Sequence, residues 1–202
     1  MALLNETTEA SSSRQENVER ILESAERLFR HYGYGKTTVA DIARDLGMSP
    51  ANVYRFFASK EQIHQEICGR MLAASLHLAL ANSKRQLPAA ERLRLCILDQ
   101  HQLTKETMLD EQKVHEMVIV AIERDWHVIE KHVDRLHQVY SDIIREGIEA
   151  GEFRQQDLDS AARCFGAATA ALCHPQMVAQ CLAKENRAAP DELVDFAIRA
   201  LK

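Results

Sequence analysis

Residues 37–60 read TTVADIARDLGMSPANVYRFFASK, and this stretch decides the fold. Thr38 and Asp41 have the spacing of a capping box, in which two side chains reciprocally satisfy free backbone N–H groups at the start of a helix. Gly47 then supplies a turn, and Ser49-Pro50 combines a helix cap with proline at the first helical position. Two short helices joined by a turn of about three residues that contains glycine match the helix-turn-helix pattern.

The second of these helices has an exposed side suited to reading DNA. Apolar faces are predicted on both helices, from Ile42, Ala43 and Leu46 and from Val53, Phe56 and Phe57. With those faces buried, the early positions of the second helix meet base edges in the major groove. We therefore predict base contacts from Pro50, Ala51, Asn52 and Arg55. Hydroxyl groups and a cation flank this surface, and we predict phosphate contacts from Thr37, Thr38, Ser49, Tyr54 and Lys60.

The remainder of the chain is also predicted to be helical. From Arg14 the apolar residues form one helical stripe that ends at Gly33, whereas residues 1–13 are polar and aperiodic, which indicates a disordered tail. Cap signals and apolar spacing predict further helices at 38–46, 49–56, 59–85, 88–107, 110–123, 125–150, 157–174, 176–185 and 190–201. The expected fold is all-α, with about nine to ten helices: a three-helix helix-turn-helix domain at 14–60 and a regulatory and dimerisation bundle at 61–202.

Composition limits the class of protein. The chain has 202 residues, 46% of them hydrophobic, and a net charge of −5, so it is not a generally basic nucleic-acid coat. Residues 14–60 nevertheless hold eight basic and six acidic side chains, a net charge of +2. The longest apolar run, 71–81, is interrupted by Ser75 and His77 and is too short to cross a membrane. With no secretion signal at the N-terminus, we expect a soluble, cytoplasmic protein without membrane partners.

Cysteine and histidine spacing argues against a metal or disulfide centre. The five cysteines are an odd number without a CxxC pair, so we expect free thiols, most of them buried: Cys68, Cys96, Cys164, Cys173 and Cys181. His127, His132 and His137 are five residues apart, and each is turned about 140° from the previous one on a helix. They cannot share one face, and we expect neither a metal nor another cofactor.

The sequence from about Arg14 to Cys68 resembles the N-terminal domain of the TetR family of transcription regulators. The residues that carry the resemblance are Ala25, Leu28 and Phe29, Gly33-Tyr34, Thr37-Thr38-Val39, Asp41-Ile42-Ala43, Leu46-Gly47, Val53-Tyr54, Phe56-Phe57 and Ser59-Lys60-Glu61. The stretch 145–153 is similar to the end of a later helix in that family. The resemblance implies an all-α homodimer whose C-terminal helices form a ligand pocket and a four-helix dimer interface. It also implies a long helix, here about 59–85, that transmits ligand binding to the DNA-reading heads.

Residues for the pocket and the dimer interface follow from this implied architecture. Ligand sites are mostly apolar with a few orienting polar groups. On that basis the candidate pocket residues are Cys96, His101, Met108, His115, Met117, Ile122, Trp126, Phe165 and Thr169. Apolar strips with small residues allow two helices to approach closely across a two-fold axis. The candidate interface residues are Ala161, Phe165, Ala168, Ala171, Leu172, Leu193, Phe196, Ala197 and Ala200, although burial within the chain must cover part of each strip.

These patterns predict a sequence-specific DNA-binding transcriptional regulator. We expect a homodimeric repressor that a small, largely apolar effector releases from a palindromic operator in double-stranded DNA. An enzyme is not expected, because the sequence has no glycine-rich phosphate loop, nucleophile elbow or metal-ligand helix motif. The remaining alternative is a helical adaptor that binds proteins through the helix-turn-helix domain, which loss of DNA binding on mutation of Asn52 or Arg55 would exclude.

Overall fold

The computed structural model describes the backbone of residues 2–108, 120, 126–182 and 187–202, and the side chains of residues 12–107, 120, 128–181 and 187–202. Nine helices lie within these ranges, and no strand does. They are α1 Ala2–Tyr32, α2 Val39–Asp45, α3 Pro50–Tyr54, α4 Lys60–Ser83, α5 Ala89–Met108, α6 Trp126–Glu149, α7 Leu158–Cys173, α8 Pro175–Leu182 and α9 Pro190–Arg199. The all-α prediction is confirmed. The predicted helix at 110–123 falls outside the described residues, apart from Val120.

The first helix is longer than the sequence predicted. It begins at Ala2 rather than near Arg14, so the expectation of a disordered tail over residues 1–13 does not agree with the helical backbone of 2–13. The segment contains neither glycine nor proline. A helix that is already nucleated by a buried stripe can therefore extend through it, because propagation is far less costly than nucleation.

The helix-turn-helix domain has its own hydrophobic core. The side chains of Ile21, Phe29, Ile42, Val53 and Ile63 are fully buried together and join α1, α2, α3 and the start of α4. This core extends into α4 past the predicted domain boundary at residue 60. The long helix α4 is therefore shared between this core and the next one.

A glycine sets the turn between α2 and α3. Gly47 has φ of +66°, a left-handed conformation that is strained for residues with a Cβ. Its N–H donates to the carbonyl of Arg44, and the N–H of Met48 donates to the carbonyl of Ala43, which ends α2. The chain reverses within these residues, so that Ser49 can cap α3.

The C-terminal bundle is organised around α5, which contacts α4, α6, α7, α8 and α9. Leu93 and Ile97 of α5 and Ile143 and Ile144 of α6 are almost completely buried in its core. Glu152, just beyond α6, caps α5 by accepting hydrogen bonds from two N–H groups at 89–90, at 2.9 and 3.2 Å. A carboxylate is favourable there because the first N–H groups of a helix have no partner within it.

Candidate nucleic-acid interface and cavity

The start of α2 is fixed by the predicted capping box. The Thr38 N–H donates to the Asp41 carboxylate at 2.9 Å, and the Asp41 N–H donates to the Thr38 hydroxyl at 3.2 Å. The Thr38 hydroxyl donates in turn to that carboxylate at 2.6 Å. Hydrogen bonds from the Thr38 hydroxyl and backbone hold the pKa of Asp41 below its usual value. Thr38 remains exposed, so it can cap the helix and still lie near a phosphate.

Helix α3 is anchored on one side and open on the other. Ser49 caps it by accepting a hydrogen bond from the Asn52 N–H at 3.3 Å, and Val53 is fully buried beneath it. On the open side, Pro50, Ala51, Tyr54 and Arg55 are exposed, and Asn52 is half-buried. The residues predicted to face bases thus share one solvent-facing surface, whose contact with DNA stays a prediction.

Thr37 does not have the role that the sequence suggested. Thr37 is only 2% exposed, and its hydroxyl donates to the carbonyl of Gly33 at 2.9 Å, with the carbonyl of Leu28 also within reach at 3.3 Å. The hydroxyl closes the loop between α1 and α2 and is therefore not available to a phosphate. The adjacent Thr38 is the exposed member of the pair.

Lys60, the first residue of α4, contacts the loop between α1 and α2. Its ammonium group donates to the carbonyls of Tyr34 at 2.9 Å and Thr37 at 3.0 Å, and it lies 4.2 Å from the centroid of the Tyr34 ring. These bonds use two of the three ammonium donors, so one donor remains for an anion. Lys60 therefore fixes the loop even before any contact with DNA.

The sequence did not predict a second polar contact within the helix-turn-helix domain, which joins α1 and α2. Ser24 of α1 donates to the Asp45 carboxylate at 2.7 Å, and Arg27 forms an ion pair with the same oxygen. Hydrogen bonds from Ser24 and then Arg27 lower the pKa of Asp45. Ser24 is buried beside the apolar stripe of α1, and a polar residue in that position was the available signal.

A cavity of about 610 Å³ lies against the long helix α4 and reaches the helix-turn-helix domain. Its walls come from α1, α4, α5, α6, α7 and the start of α8. The described lining residues are Glu26, Arg30, Gln65, Cys68, Arg70, Met71, Leu72, Ala74, Ser75, Gln100, Leu103, Thr104, Thr107, Val128, Ile129, His132, Val133, Leu136, His137, Tyr140, Arg163, Gly166, Ala167, Thr169, Ala170, Cys173, His174 and Pro175.

Three polar residues of the cavity are joined in a chain of contacts that the sequence did not predict. The Ser75 hydroxyl donates to the Gln100 side-chain oxygen at 2.7 Å, and Nε2 of His132 lies 3.3 Å from that hydroxyl. Burial, and then the charge of Arg135, lower the pKa of His132, so its ring is neutral at pH 7. The only signal in the sequence was that Ser75 interrupts an apolar run.

Two further ring groups on the cavity wall belong to His174 and Tyr140. Nδ1 of His174 is buried and has no hydrogen-bond partner among the described residues, and burial lowers the pKa of this histidine. Burial raises the pKa of Tyr140 well above its usual value. Neither side chain carries a charge into the cavity near pH 7.

Of the predicted pocket residues whose side chains are described, only Thr169 lines this cavity. Cys96, His101 and Phe165 lie in the packed core instead. The Cys96 thiol contacts the Ala79 carbonyl, Nδ1 of His101 donates to the Leu172 carbonyl at 2.9 Å, and the Phe165 ring packs edge-on against Tyr140. The side chains of Met108 and Trp126, and residues His115, Met117 and Ile122, lie outside the described residues.

Polar contacts connect the cavity wall to the helix-turn-helix domain. Arg30 of α1 donates to the Glu26 carboxylate at 2.8 Å and to the carbonyl of Thr107 in α5 at 2.9 Å. Arg70 of α4 donates two hydrogen bonds to Glu19 of α1, at 2.7 and 2.8 Å. Except for Glu19, each of these residues lines the cavity, so a molecule bound there would touch the joint between the two cores.

Packing within the chain buries part of the two predicted interface strips. Ala161, Phe165, Leu172 and Ala197 are buried, because α7 and α9 pack against each other and against α5. Ala171 and Leu193 are half-buried. The exposed remainder is Ala168, Ala200 and Phe196, whose side chain is 66% exposed.

Neither a metal-binding cluster nor a membrane-spanning helix occurs among the described residues. No group of three or more histidine, cysteine, aspartate or glutamate side chains is placed to hold a metal ion among the described residues. In the same part of the chain, none of the helices has the length and apolar character needed to cross a membrane.

The chain is similar to known proteins along most of its length. Residues 21–67 match the family described as "Bacterial regulatory proteins, tetR family", and residues 89–194 match "Tetracyclin repressor-like, C-terminal domain". The uncharacterised HTH-type transcriptional regulator YfiR of Bacillus subtilis (strain 168) is 26% identical over 152 residues, which cover 72% of each chain.

Solved structures share the fold. A regulator of the TetR/AcrR family from Thermobifida fusca has a TM-score of 0.69 and 20% identity, and the match covers 92% of this chain and 96% of that one. A transcriptional regulator from Saccharomonospora viridis, solved in complex with choline, has a TM-score of 0.65 and 27% identity, and the match covers 91% and 94%.

Proposed function

The chain belongs to the tetR family of DNA-binding transcriptional regulators, and from this premise we propose that it is a repressor that a small, largely apolar effector releases from a palindromic operator. The observation that carries this proposal is the pairing of an open, capped recognition helix with a separate cavity that touches both α1 and α4. A protein adaptor is not favoured, because the relatives of both domains are transcription regulators.

For the DNA contacts, we assign base readout to Pro50, Ala51, Asn52 and Arg55. The cap at Ser49 and the buried Val53 support this assignment, because they anchor one side of α3 and leave its opposite side free to enter a major groove. Phosphate contacts are assigned to Thr38, Ser49, Tyr54 and the remaining donor of Lys60.

A palindromic operator requires two heads related by a two-fold axis. We assign the dimer contact to the exposed remainder of α7 and α9, which includes Ala168, Phe196 and Ala200. Phe196 supports this assignment, because it is the most exposed large hydrophobic side chain among the described residues and lies on α9, four residues before the exposed Ala200.

Release by an effector requires contacts that connect the cavity to the helix-turn-helix domain. The cavity borders α1 at Glu26 and Arg30 and α4 at Arg70, and these residues hold the two helices to each other and to α5. An effector that displaces these contacts would change the distance between the two helix-turn-helix domains of a dimer. Effector binding would thereby shift the protein between two arrangements that differ in their affinity for DNA.

In vitro selection tests the proposal. Random duplex DNA is selected by the purified full-length protein at two salt concentrations, with an Asn52→Ala, Arg55→Ala double variant as the control. We expect a two-fold symmetric site to be enriched by the wild-type protein and not by the variant, with weaker binding at higher salt. Failure of the folded, ligand-stripped protein to enrich any duplex would contradict the proposal and favour the adaptor.

A further inference from the structure

The contacts among Ser75, Gln100 and His132 leave one hydrogen-bonding position on His132 open to a ligand. The Ser75 hydroxyl has one hydrogen, and it is donated to Gln100 at 2.7 Å. The hydroxyl can therefore only accept from Nε2 of His132, which lies 3.3 Å away. A neutral imidazole has one N–H, so Nδ1 of His132 carries a bare lone pair.

The threonine hydroxyl groups on the described cavity wall already donate hydrogen bonds to backbone carbonyls. Thr104 donates to Cys173 at 3.2 Å, Thr107 to Leu103 at 2.7 Å, and Thr169 to Phe165 at 2.8 Å. These groups do not require a ligand to complete their hydrogen bonding. Nδ1 of His174 also has no partner among the described residues, but that atom is itself buried. The lone pair on Nδ1 of His132 is the acceptor that the contacts among Ser75, Gln100 and His132 leave open.

The charged groups on the wall are paired with each other or with neighbours. Arg30 is paired with Glu26, Arg70 with Glu19, and Arg163 with Asp159. A charged ligand would have to break one of these pairs or lose its hydration without a counter-ion, which is costly in an apolar site. Among the described lining residues, Tyr140 is the one phenyl-type ring, so they form no aromatic cage for a quaternary ammonium ion.

Most of the other described lining residues are apolar, and the volume of the cavity is moderate. Met71, Leu72, Leu103, Ile129 and Leu136 line it, and the volume of about 610 Å³ is in the range of sites that hold drug-sized molecules. Such a wall favours a molecule whose body is a hydrocarbon or an aromatic ring.

We propose that the cavity binds a neutral, mainly apolar molecule with one hydroxyl group, an alcohol or a phenol, and that this hydroxyl donates a hydrogen bond to Nδ1 of His132. The inference rests on the proposed function, since this molecule would be the effector. It adds the class of the effector, the position of its polar group and the residue that recognises it.

Isothermal titration of the full-length protein without DNA tests the class of ligand. The probes are 4-propylphenol, 4-propylanisole, 4-propylbenzoate and choline. The anisole keeps the oxygen and the body of the phenol but has no hydrogen to donate. We expect the phenol to bind about tenfold more tightly than the anisole, because one hydrogen bond to a buried acceptor is gained. Benzoate and choline should bind more weakly than the phenol.

Variants of one histidine test the anchor. His132→Leu should abolish the phenol-over-anisole preference while the anisole affinity is kept, because the apolar wall is unchanged. His132→Asn, which places an amide group near the position of Nδ1, should restore part of the preference. His77→Leu is the matched control, since His77 is exposed on α4 outside the cavity, and it should leave the preference unchanged. The ratio of two affinities within one variant is insensitive to a general loss of stability.

Several outcomes would overturn the inference. They are equal or tighter binding of the anisole, tighter binding of either charged probe, no binding of the phenol, or an unchanged preference in His132→Leu. Because the titration contains no DNA, the two proposals fail separately. A protein that prefers the phenol through His132 but enriches no duplex contradicts the regulator alone, whereas duplex enrichment without the preference contradicts the ligand class alone.

Discussion

Arg55 is a residue at which sequence-specific base contact and non-specific phosphate contact can be told apart. It is exposed at the end of α3, and no charged partner is described for it, unlike Arg44, which is paired with Asp41. A guanidinium group can form two hydrogen bonds with the major-groove edge of guanine. If it does so here, its loss should matter most at the preferred site.

We therefore expect Arg55→Ala to weaken binding to the selected operator by about 1–3 kcal/mol and to relax the preference at one base pair. Fluorescence anisotropy with the operator and with single-base variants measures both effects. Arg154→Ala, an exposed arginine in the C-terminal bundle, is the control and should bind like the wild type. An equal loss on all sequences would instead identify Arg55 as a phosphate contact.

At this scale the sequence predicted local roles and missed long-range ones. The caps at Thr38 and Ser49 follow from residue type and spacing alone, and both are confirmed. Thr37 was misjudged because nothing in its own neighbourhood shows that Gly33 and Leu28 provide carbonyl groups for its hydroxyl.

The helices were predictable for a related reason. Amphipathic spacing and caps are local, so the predicted segments 125–150 and 157–174 agree with α6 and α7 to within a residue or two. The cavity was not predictable in the same way. His132, Ser75 and Gln100 come from three helices that are distant in sequence, and only the packing of those helices brings the three side chains together.

The close approach of α5 to α6 explains why α6 has a glycine at position 147. A Cβ added at Gly147 would lie 2.8 Å from the Cβ of Ala89 and would overlap the ring of Phe153. Both neighbours are buried, and Ala89 is held by the Glu152 cap on α5. Gly69 in α4 is also within a helix, but a Cβ there would meet nothing within 4 Å.

The same substitution should therefore have opposite effects at these two glycines. We expect Gly147→Ala to lower the free energy of unfolding by about 1–3 kcal/mol through overpacking. Gly69→Ala should raise it by about 0.5–1 kcal/mol, because alanine has the better helix propensity. Urea unfolding at one fixed protein concentration measures both. A stabilised Gly147→Ala variant would show that α5 and α6 are not packed as closely as described.

At the scale of the whole molecule, two cores share one helix. The N-terminal core includes Ile63 and Ile67 of α4, and the C-terminal core includes Ala79 of the same helix. The cavity lies alongside the segment between them, at 65–75. A ligand there would act where α4 passes from one core to the other, so a small displacement could be carried to the recognition helix without unfolding either core.

The proposed dimer contact involves α7 and α9, which lie in the C-terminal bundle. Phe196 is 66% exposed on α9, with the Arg199 guanidinium 5.8 Å from its ring centroid, and the small side chains of Ala168 and Ala200 are also exposed. Small residues beside one large apolar residue allow two helices to approach closely and bury that residue. A carboxylate at position 196 would lose its hydration in such an interface, and this cost can exceed the gain from pairing with the neighbouring Arg199.

We expect the wild-type protein to elute in size-exclusion chromatography with light scattering at about twice its chain mass of 22.9 kDa, and Phe196→Glu at the mass of one chain. The variant should also bind a full palindrome much more weakly, because the two heads no longer gain from being linked. Tyr32→Glu introduces the same charge at a residue that is 54% exposed in α1 and should remain dimeric. A Phe196→Glu variant that stays dimeric and keeps its operator affinity would show that the two-fold contact lies elsewhere.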